Sequence, residues 1–280
     1  MSKPDYPLLL NPHLAKRVWG GTRLGAGIGE AWDLSVHPHG PCRIANGALQ
    51  GCTLAEASAA HADAFGGPIR LLAKRLDCAE TLSVQVHPLE RDPKTEAWVV
   101  LEAAAGAGVY HGFGRPVTVG EVGRAAADGS LPDLLRFVET PRSTAVFVPS
   151  GTVHAIGSGL FLFELQQSAD TTYRLFDWGR GRALHLDEAL GCLDLEAHPP
   201  VPTPRHGRLV ECEHFTIDRL TGAATVDPLE AWTALLVVEG AGRLGEVQVG
   251  CRETVLLPAA AGPREWTPDG PCVVLRYGPA

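Results

Sequence analysis

The chain has 280 residues, enough for one large domain or two of modest size. With 45% hydrophobic and 20% charged residues, its composition is that of a globular protein and argues against disorder, collagen-like repeats and coiled coils. The formal net charge of -8 argues against nucleic acid or an anionic membrane as a partner, because both bind basic surfaces. A few well-placed Lys or Arg side chains could still bind a small anionic substrate.

The 32 glycines and 22 prolines favour many short strands and turns over long helices, which predicts an all-β fold. The seven cysteines are widely spaced and contain no C-x-x-C pair, so neither a disulfide framework nor a thiolate zinc site is indicated. The longest N-terminal apolar run, Leu8 to Leu10, is too short for a signal peptide, and no segment approaches membrane-spanning length. These features predict a cytoplasmic protein with free thiols.

Apolar or alternating runs between Gly and Pro turns predict strands in the first two thirds of the chain, at residues 82–87, 97–101, 144–148, 152–156, 160–166 and 172–176. Helical spacing around an Asp-Gly break predicts a small helical insertion at about residues 118–138, and a second helix is expected near residues 187–195.

A proline-rich segment predicts the domain boundary. Four prolines between residues 196 and 205 can neither pair as a central strand nor continue a helix. We therefore expect a catalytic β-domain at residues 1–196, a linker at 197–207 and a smaller β-domain at 208–280. In the latter, strands are predicted at residues 209–220, 232–239, 246–249, 253–257 and 272–277. The G-x-G-x-x-G match at residues 240–245 precedes a strand rather than a helix, which favours a β-turn over a dinucleotide site.

Candidate metal ligands come from three predicted strands. Period-two alternation puts Ser83, Gln85 and His87 on one face of the first strand, a face that could also simply meet solvent. Glu96 opens the next strand and could lie beside His87 in a hairpin. His154, on a third strand, could equally be an ordinary core histidine. The two imidazoles with Glu96 and Gln85 form a two-nitrogen, two-oxygen set that suits Zn²⁺ or another borderline divalent ion.

A further acid–base pair follows. Glu164 lies within an apolar run and should be partly desolvated, which suits a proton-transfer group. Arg174 follows ten residues later. A structural salt bridge between Glu164 and Arg174 is an equally good interpretation of the pattern.

Several of these segments together resemble the signatures of type I mannose-6-phosphate isomerase. The matching strings lie at residues 17–21, 29–35, 71–77, 83–88, 94–96, 149–156, 164–174 and 182–185. The resemblance runs in order from about residue 17 to residue 190, whereas the chain beyond residue 197 has only generic similarity to a β-domain.

The resemblance implies a fold, a reaction and a set of site residues. The fold would be all-β, a double cupin (jelly-roll) with a small helical insertion, and the enzyme would be a zinc-dependent aldose–ketose isomerase that interconverts mannose 6-phosphate and fructose 6-phosphate through an enediolate. One Zn²⁺ per chain would be held by four ligands: Gln85, His87, Glu96 and His154. Arg174 would be the catalytic arginine, with Lys94 and Glu164 as further active-site residues. Glu164 is the preferred proton-transfer base and Lys94 the alternative.

Phosphate recognition has three candidates, Ser83, Lys74 and Arg17, although surface solvation explains the last two equally well. Trp19 and Trp32 are expected in the core rather than in a sugar pocket. The stretch between His87 and Glu96 is shorter than in most family members, which leaves open another sugar or sugar phosphate as substrate. A non-catalytic cupin that binds a sugar phosphate is the alternative outside enzymes, but a binder needs neither a base nor an arginine that stabilises an enediolate.

Overall fold

The computed structural model describes residues 3–90, 92–169, 171–196, 203–204, 206–228 and 231–280. Strands dominate it, as predicted. The strands of the first half are β1 (Leu8–Asn11), β2 (His13–Gly21), β3 (Ile28–Leu34), β4 (Arg43–Ile44), β5 (Leu71–Cys78), β6 (Val84–Val86), β7 (Glu96–Ala103), β8 (Gly108–Phe113), β9 (Leu135–Glu139), β10 (Thr144–Val148), β11 (His154–Ile156), β12 (Leu160–Gln167) and β13 (Tyr173–Phe176). The later strands are β14 (Thr203–Pro204), β15 (Arg208–Glu211), β16 (Phe215–Leu220), β17 (Ala224–Val226), β18 (Thr233–Glu239), β19 (Gly242–Leu244), β20 (Val247–Val249), β21 (Thr254–Leu257), β22 (Arg264–Pro268) and β23 (Val273–Pro279). The α-helices are α1 (Leu54–Ala60), α2 (Val119–Asp128) and α3 (Leu186–Cys192).

The strands form four sheets. Sheet I has the order β15-β16-β23-β18-β21-β1-β4, and sheet II has the order β14-β10-β7-β12-β5-β2-β3. Sheet III is a five-stranded sheet of order β13-β6-β11-β8-β9, antiparallel throughout. Sheet IV has the order β17-β22-β19-β20. In sheet IV, β19 and β20 pair as a hairpin whose turn contains Gly245, while Gly242 lies in β19 itself and Gly240 lies in the turn before it. No helix opens at the third glycine, so the expectation of β-turns rather than a dinucleotide site holds for this segment, although one of the glycines belongs to a strand.

Contacts divide the described residues into two compact units. One combines segments 1–14, 31–74 and 205–280, because β1 pairs with β21 (Leu8 opposite Leu256). The other combines segments 15–30 and 75–204. Each unit therefore combines segments that are distant in sequence. The chain passes from one unit to the other within β2, β3 and β5. The proposed linker lies mostly outside the described residues, and the division into domains at residues 1–196 and 208–280 stays a prediction.

The core of the second unit lies between sheets II and III. Trp98 and Val100 of β7 and Val146 of β10 cluster there with Val109 and Ile156 of sheet III. Strand β7 is buried along its first six residues and β12 along its first seven. Burial on both faces is the reason why these strands appear in the sequence as apolar runs rather than as alternating patterns.

The helical insertion covers the other face of sheet III. Val122, Ala125 and Ala126 of α2 pack with Val84 and Val86 of β6. The helix begins after Thr118, whose hydroxyl accepts a hydrogen bond from the Glu121 N–H, and it ends at Gly129, where φ is 87°. On the opposite face, Ser83 is 3% and His87 is 1% exposed, and Gln85 between them is partly buried. The solvent-exposed interpretation of the Ser83 face is therefore wrong.

The predicted extent of the insertion needs a correction. Helical structure continues only to a short 3₁₀ turn at Leu131–Leu134, and the residues after it form β9, which pairs with β8. The segment Leu-Arg-Phe-Val favours a strand, and the free edge of β8 supplies the partner. Ten further strands were not predicted from the sequence: β1, β2, β3, β4, β5, β8, β14, β17, β19 and β22. Among the described residues, no helix is long and apolar enough to cross a membrane.

Candidate metal centre

Sheet III brings three of the predicted site residues into one row. His154 on β11 lies opposite Gln85 on β6, and Gln85 lies opposite Arg174 on β13. On its other side, His154 lies opposite His111 on β8. Because directly paired residues project to the same face of a sheet, these side chains share the face that meets sheet II.

Glu96 reaches this row from the opposite sheet. The expected hairpin of β6 with β7 is wrong, because β6 belongs to sheet III and β7 to sheet II. The juxtaposition with His87 nevertheless holds: Glu96 Oε2 lies 3.4 Å from His87 Nε2, and Oε1 lies 3.4 Å from His154 Nε2. Each of the three side chains is about 1% exposed or less. One buried carboxylate thus spans two imidazoles.

Backbone carbonyls orient both imidazoles. His87 Nδ1 lies 3.0 Å from the carbonyl oxygen of Thr171, and His154 Nδ1 lies 2.9 Å from that of Thr152. A carbonyl can only accept, so each Nδ1 carries the proton and each Nε2 keeps a lone pair for a donor or a metal ion. Burial lowers the pKa of His154 to about 3, while burial and then the Lys94 charge lower the pKa of His87. Both rings are therefore neutral at pH 7, the form that binds metal ions.

Lys94, Gln85 and Ser83 complete the polar surroundings. Lys94 Nζ lies 2.7 Å from Glu96 Oε2 and 3.2 Å from His87 Nε2. The Gln85 amide donates to His154 Nε2 at 3.2 Å, and its Oε1 accepts from the Ser83 hydroxyl at 3.3 Å. A half-turn of this amide about its last torsion would present Oε1, the atom that a cation requires.

The donor set fits a divalent cation. Single ligand atoms of His87, Glu96 and His154 all lie within 4.8 Å of one another. Among the described residues, neither Glu96 oxygen accepts a well-aligned hydrogen bond, although both are buried. Burial alone would raise the pKa of Glu96, but the positive charge of Lys94 outweighs it and holds that pKa well below its usual range. A buried anion between two neutral imidazoles is the pattern expected for a metal site.

Glu164 lies beside this cluster on β12 and contacts it through Trp98. The Trp98 indole N–H donates to Glu164 Oε2 at 3.2 Å, and the same indole ring packs edge-on against His154, with ring centroids 5.5 Å apart. Glu164 is only 4% exposed. The alternative interpretation as a Glu164–Arg174 salt bridge is wrong, because Arg174 forms no ion pair with any residue that the structure describes.

Arg174 is held by its backbone and by one guanidinium nitrogen. Its N–H donates to His185 Nδ1 at 3.1 Å, and its Nη1 donates to the Ala183 carbonyl at 2.7 Å. Within the described parts of the chain, the buried Nε has no hydrogen-bond partner. Burial and then the neighbouring charge of Arg182 lower the pKa of Arg174. The guanidinium is thus positioned but keeps unused donors.

The three phosphate candidates have different surroundings. Ser83 lies at the cluster, through its bond to Gln85. Arg17 makes a bidentate ion pair with Glu30, with N–O distances of 3.0 and 2.9 Å. Lys74 belongs to the other compact unit, where its Nζ lies 5.3 Å from the centre of the Trp32 ring. Their roles in phosphate binding stay predictions.

Trp19 and Trp32 are each 4% exposed, which agrees with the expected core positions. Three residues that lie next to the metal centre were not proposed from the sequence. Thr152 and Thr171 act through main-chain carbonyls, which leave no side-chain pattern in a sequence. His111 could have been found only by recognising β8 as a strand.

Comparison with known proteins identifies the family. The family model for the type I phosphomannose isomerase catalytic domain matches residues 10–105. Mannose-6-phosphate isomerase ManA of Bacillus subtilis is 32% identical over 275 residues, covering 85% of this chain and 87% of the relative. The mannose-6-phosphate isomerase of Streptococcus mutans is 33% identical and covers 94% and 95%. The chain belongs to the mannose-6-phosphate isomerase family.

Solved structures of the family agree in fold. The crystal structure of the Bacillus subtilis mannose 6-phosphate isomerase superposes with a TM-score of 0.87 at 27% identity, covering 97% of this chain and 99% of that one. A putative mannosephosphate isomerase from Archaeoglobus fulgidus shares the fold, with a TM-score of 0.85 at 20% identity and coverage of 100% and 99%. The predicted all-β cupin fold with a small helical insertion is confirmed. The predicted enzyme class, an aldose–ketose isomerase of this family, is confirmed as well.

Proposed function

We propose that this mannose-6-phosphate isomerase family member interconverts mannose 6-phosphate and fructose 6-phosphate with one Zn²⁺ per chain and through an enediolate. The observation that carries the proposal is the buried cluster of His87, Glu96 and His154, which lies beside two cationic side chains, Lys94 and Arg174. This combination suits the stabilisation of negative charge that develops next to a carbonyl group.

Zinc would be held by His87 and His154 through Nε2, by Glu96 through its carboxylate and by Gln85 through Oε1. With one carboxylate and three neutral ligands the site keeps a formal charge of +1, so a bound Zn²⁺ would supply Lewis acidity towards substrate oxygens. The Thr152 and Thr171 carbonyls hold the two rings in the tautomer that this role requires.

Proton transfer is assigned to Glu164. Isomerisation moves a proton between C1 and C2, the carbonyl carbon and its neighbour, so the base must be anionic and close to both. Glu164 is a buried carboxylate, and the Trp98 N–H holds one of its oxygens. Lys94, the alternative base, forms an ion pair with Glu96 at 2.7 Å. An ammonium group in such a pair has no lone pair with which to take a proton, and it is better suited to stabilise an anion.

Arg174 would stabilise the enediolate with its unused guanidinium donors. Phosphate contacts from Ser83, Lys74 and Arg17 are part of the proposal, and Ser83 has the best support because it lies at the cluster.

Removal of the metal tests the proposal directly. We expect the purified protein to convert mannose 6-phosphate to fructose 6-phosphate, to lose this activity after chelation and to regain it with Zn²⁺. A protein that holds one metal per chain but shows no turnover would move the assignment to another sugar or to a sensor role. A protein that binds no metal would show that the ligand set is wrong.

Replacement of Arg174 tests the second part of the site. Arg174→Ala should lower the turnover rate about a hundredfold or more, because one well-placed donor to a developing anion contributes roughly 3 kcal/mol. Arg243→Ala, which removes an exposed arginine of β19 in the other compact unit, is the matched control and should leave turnover unchanged. Zinc content should be the same in both variants. A turnover rate of Arg174→Ala within threefold of the wild-type rate would contradict this role.

A further inference from the structure

A cavity of about 620 Å³ lies in the compact unit that does not carry the metal centre. Its lining includes two arginines, Arg208 and Arg276, and two acids, Asp218 and Asp227. The volume falls within the range of about 300–1,000 Å³ that small-molecule sites in proteins occupy. None of these four residues takes part in the proposed isomerisation, so the cavity has no role in that reaction.

Strand pairing places the charged part of the lining on the interior face of sheet I. Arg208 on β15 lies opposite Asp218 on β16, and Asp218 lies opposite Arg276 on β23. Directly paired residues project to one face, which Leu220 and Val274 share because each lies two residues further along its strand. Val274 belongs to the core between sheets I and IV, and Leu220 packs against it. The charged row is thus the polar end of that core.

The metal centre of the other unit occupies the same kind of place. There Gln85, His154 and Arg174 lie side by side across sheet III, on the face that meets sheet II. In each unit a polar row lies next to an apolar core inside a pair of sheets, and the mouths of β-barrels are common ligand sites. The pair formed by sheets I and IV therefore has a binding site of its own.

Asp218 fixes both guanidinium groups. It is 7% exposed, and its Oδ1 accepts from Arg208 Nε at 2.5 Å, while its Oδ2 accepts from Arg276 Nε at 3.1 Å and from Arg276 Nη2 at 2.6 Å. Arg208 Nη1 pairs with the exposed Glu211 at 2.9 Å. Among the described residues, Arg276 Nη1 and Arg208 Nη2 have no hydrogen-bond partner. Two positioned cations therefore keep donors for a ligand.

The lining indicates the chemical class of this ligand. Paired guanidinium groups match phosphate oxygens, and a phosphate monoester has three terminal oxygens that can accept from both groups at once. The exposed Asp227 carboxylate and the half-buried Thr216 hydroxyl accept hydrogen bonds, which suits a ligand with hydroxyl groups. Trp232 adds apolar surface to the lining. A phosphate ion alone would fill only a small part of the cavity.

We propose that this cavity binds a sugar phosphate, whose phosphate group is held by Arg208 and Arg276 and whose hydroxyl groups face Asp227. Asp218 is the positioning residue that aims the two arginines. The site belongs to the unit without the metal centre. The proposal goes beyond the proposed function and does not depend on it, because it concerns binding rather than turnover.

Calorimetric titration of the zinc-loaded protein tests the site. The probes are inorganic phosphate and sorbitol 6-phosphate, a hexitol phosphate without a carbonyl group to isomerise. One binding event of the wild type should be weakened about 10- to 100-fold in Arg276→Gln and in Arg208→Gln, the usual effect of losing a hydrogen bond to a charged group. Turnover of mannose 6-phosphate should be unchanged, since neither arginine lies in the unit with the metal centre.

A comparison of the two probes tests the sugar part of the proposal. At the arginine-dependent site, sorbitol 6-phosphate should bind about 10-fold more tightly than inorganic phosphate, because its hydroxyl groups add hydrogen bonds to a charged carboxylate. Asp227→Asn should reduce this gain without weakening the binding of inorganic phosphate.

Arg23→Gln is the matched control. The Arg23 side chain is 33% exposed and pairs with the buried Asp77 at 2.7 Å, as the 32% exposed Arg276 pairs with Asp218 at 2.6 Å, but Arg23 lies in the other unit. The variant should lose comparable stability in urea unfolding and keep the phosphate affinity of the wild type.

Three results would overturn the proposal. If neither arginine variant changes a phosphate-binding event, the charged row only closes the end of the core. If both probes bind equally well at the arginine-dependent site, the ligand is a free anion rather than a sugar phosphate. If Arg23→Gln weakens phosphate binding as much as Arg276→Gln does, the effect comes from the fold. Should Arg276→Gln not fold, Arg208→Gln carries the same test, because the Arg208 side chain is 45% exposed.

Discussion

Glu96→Gln is expected to abolish catalysis together with metal binding. The substitution removes the only anionic ligand between His87 and His154, and it leaves the Lys94 ammonium buried without its counter-charge. Changes around a metal site typically cost 10- to 100-fold in affinity, so the loss of the carboxylate ligand itself should exceed about 100-fold. Breaking a buried ion pair from one side should also destabilise the fold by about 3–5 kcal/mol.

Competition with a chromophoric chelator measures the zinc affinity, and urea unfolding measures the stability. The matched control is Glu102→Gln on the same strand, where the carboxylate is 46% exposed and pairs with Arg23 at the surface. That change should cost at most about 1 kcal/mol and leave zinc binding intact. Wild-type zinc affinity in Glu96→Gln would show that the metal centre lies elsewhere.

Glu164→Gln should lower kcat by about 10²- to 10⁴-fold, the usual contribution of a positioned general base. The amide oxygen can still accept the Trp98 N–H, so the local packing should persist. KM and zinc content should change little, because the lost function belongs to the transition state. Incorporation of solvent deuterium at the reacting carbons should fall with kcat, since the same group exchanges that proton.

Glu164→Asp is the conservative control, because it keeps a carboxylate and should retain part of the activity. Lys94→Met tests the alternative base. A nearly normal kcat in Glu164→Gln, combined with loss of solvent exchange in Lys94→Met, would reverse the two roles. Urea unfolding of each variant shows whether a loss of activity reflects the fold instead.

Local chemistry made much of the metal centre predictable from the sequence. Strand alternation is a property of the backbone, with a period of two, so it places Gln85 and His87 on one face whatever the strand packs against. Ligand identity follows from side-chain chemistry, so Glu96 and His154 could be proposed as partners before their positions were known. The resemblance to the isomerase family placed these residues in one site, added Lys94 and gave Arg174 its catalytic role, whereas Glu164 had already been proposed from its apolar surroundings.

Tertiary packing decided the rest. Whether the Gln85 face meets solvent or core depends on α2, which covers Val84 and Val86 on the opposite side. Glu96 reaches the imidazoles across two sheets rather than within a hairpin, because face-to-face packing of sheets joins residues that no local pattern connects.

The sequence by itself determined the fold class, the chemical types of the ligands and the faces on which they lie, because these depend on composition and on short-range periodicity. The tertiary structure alone decided which residues meet. It turned the Thr152 and Thr171 carbonyls into orienting groups for the two imidazoles and gathered Arg180 and Arg182 on Asp177. Such contacts depend on main-chain direction and on turns with positive φ, and neither leaves a periodic signal in the amino-acid sequence.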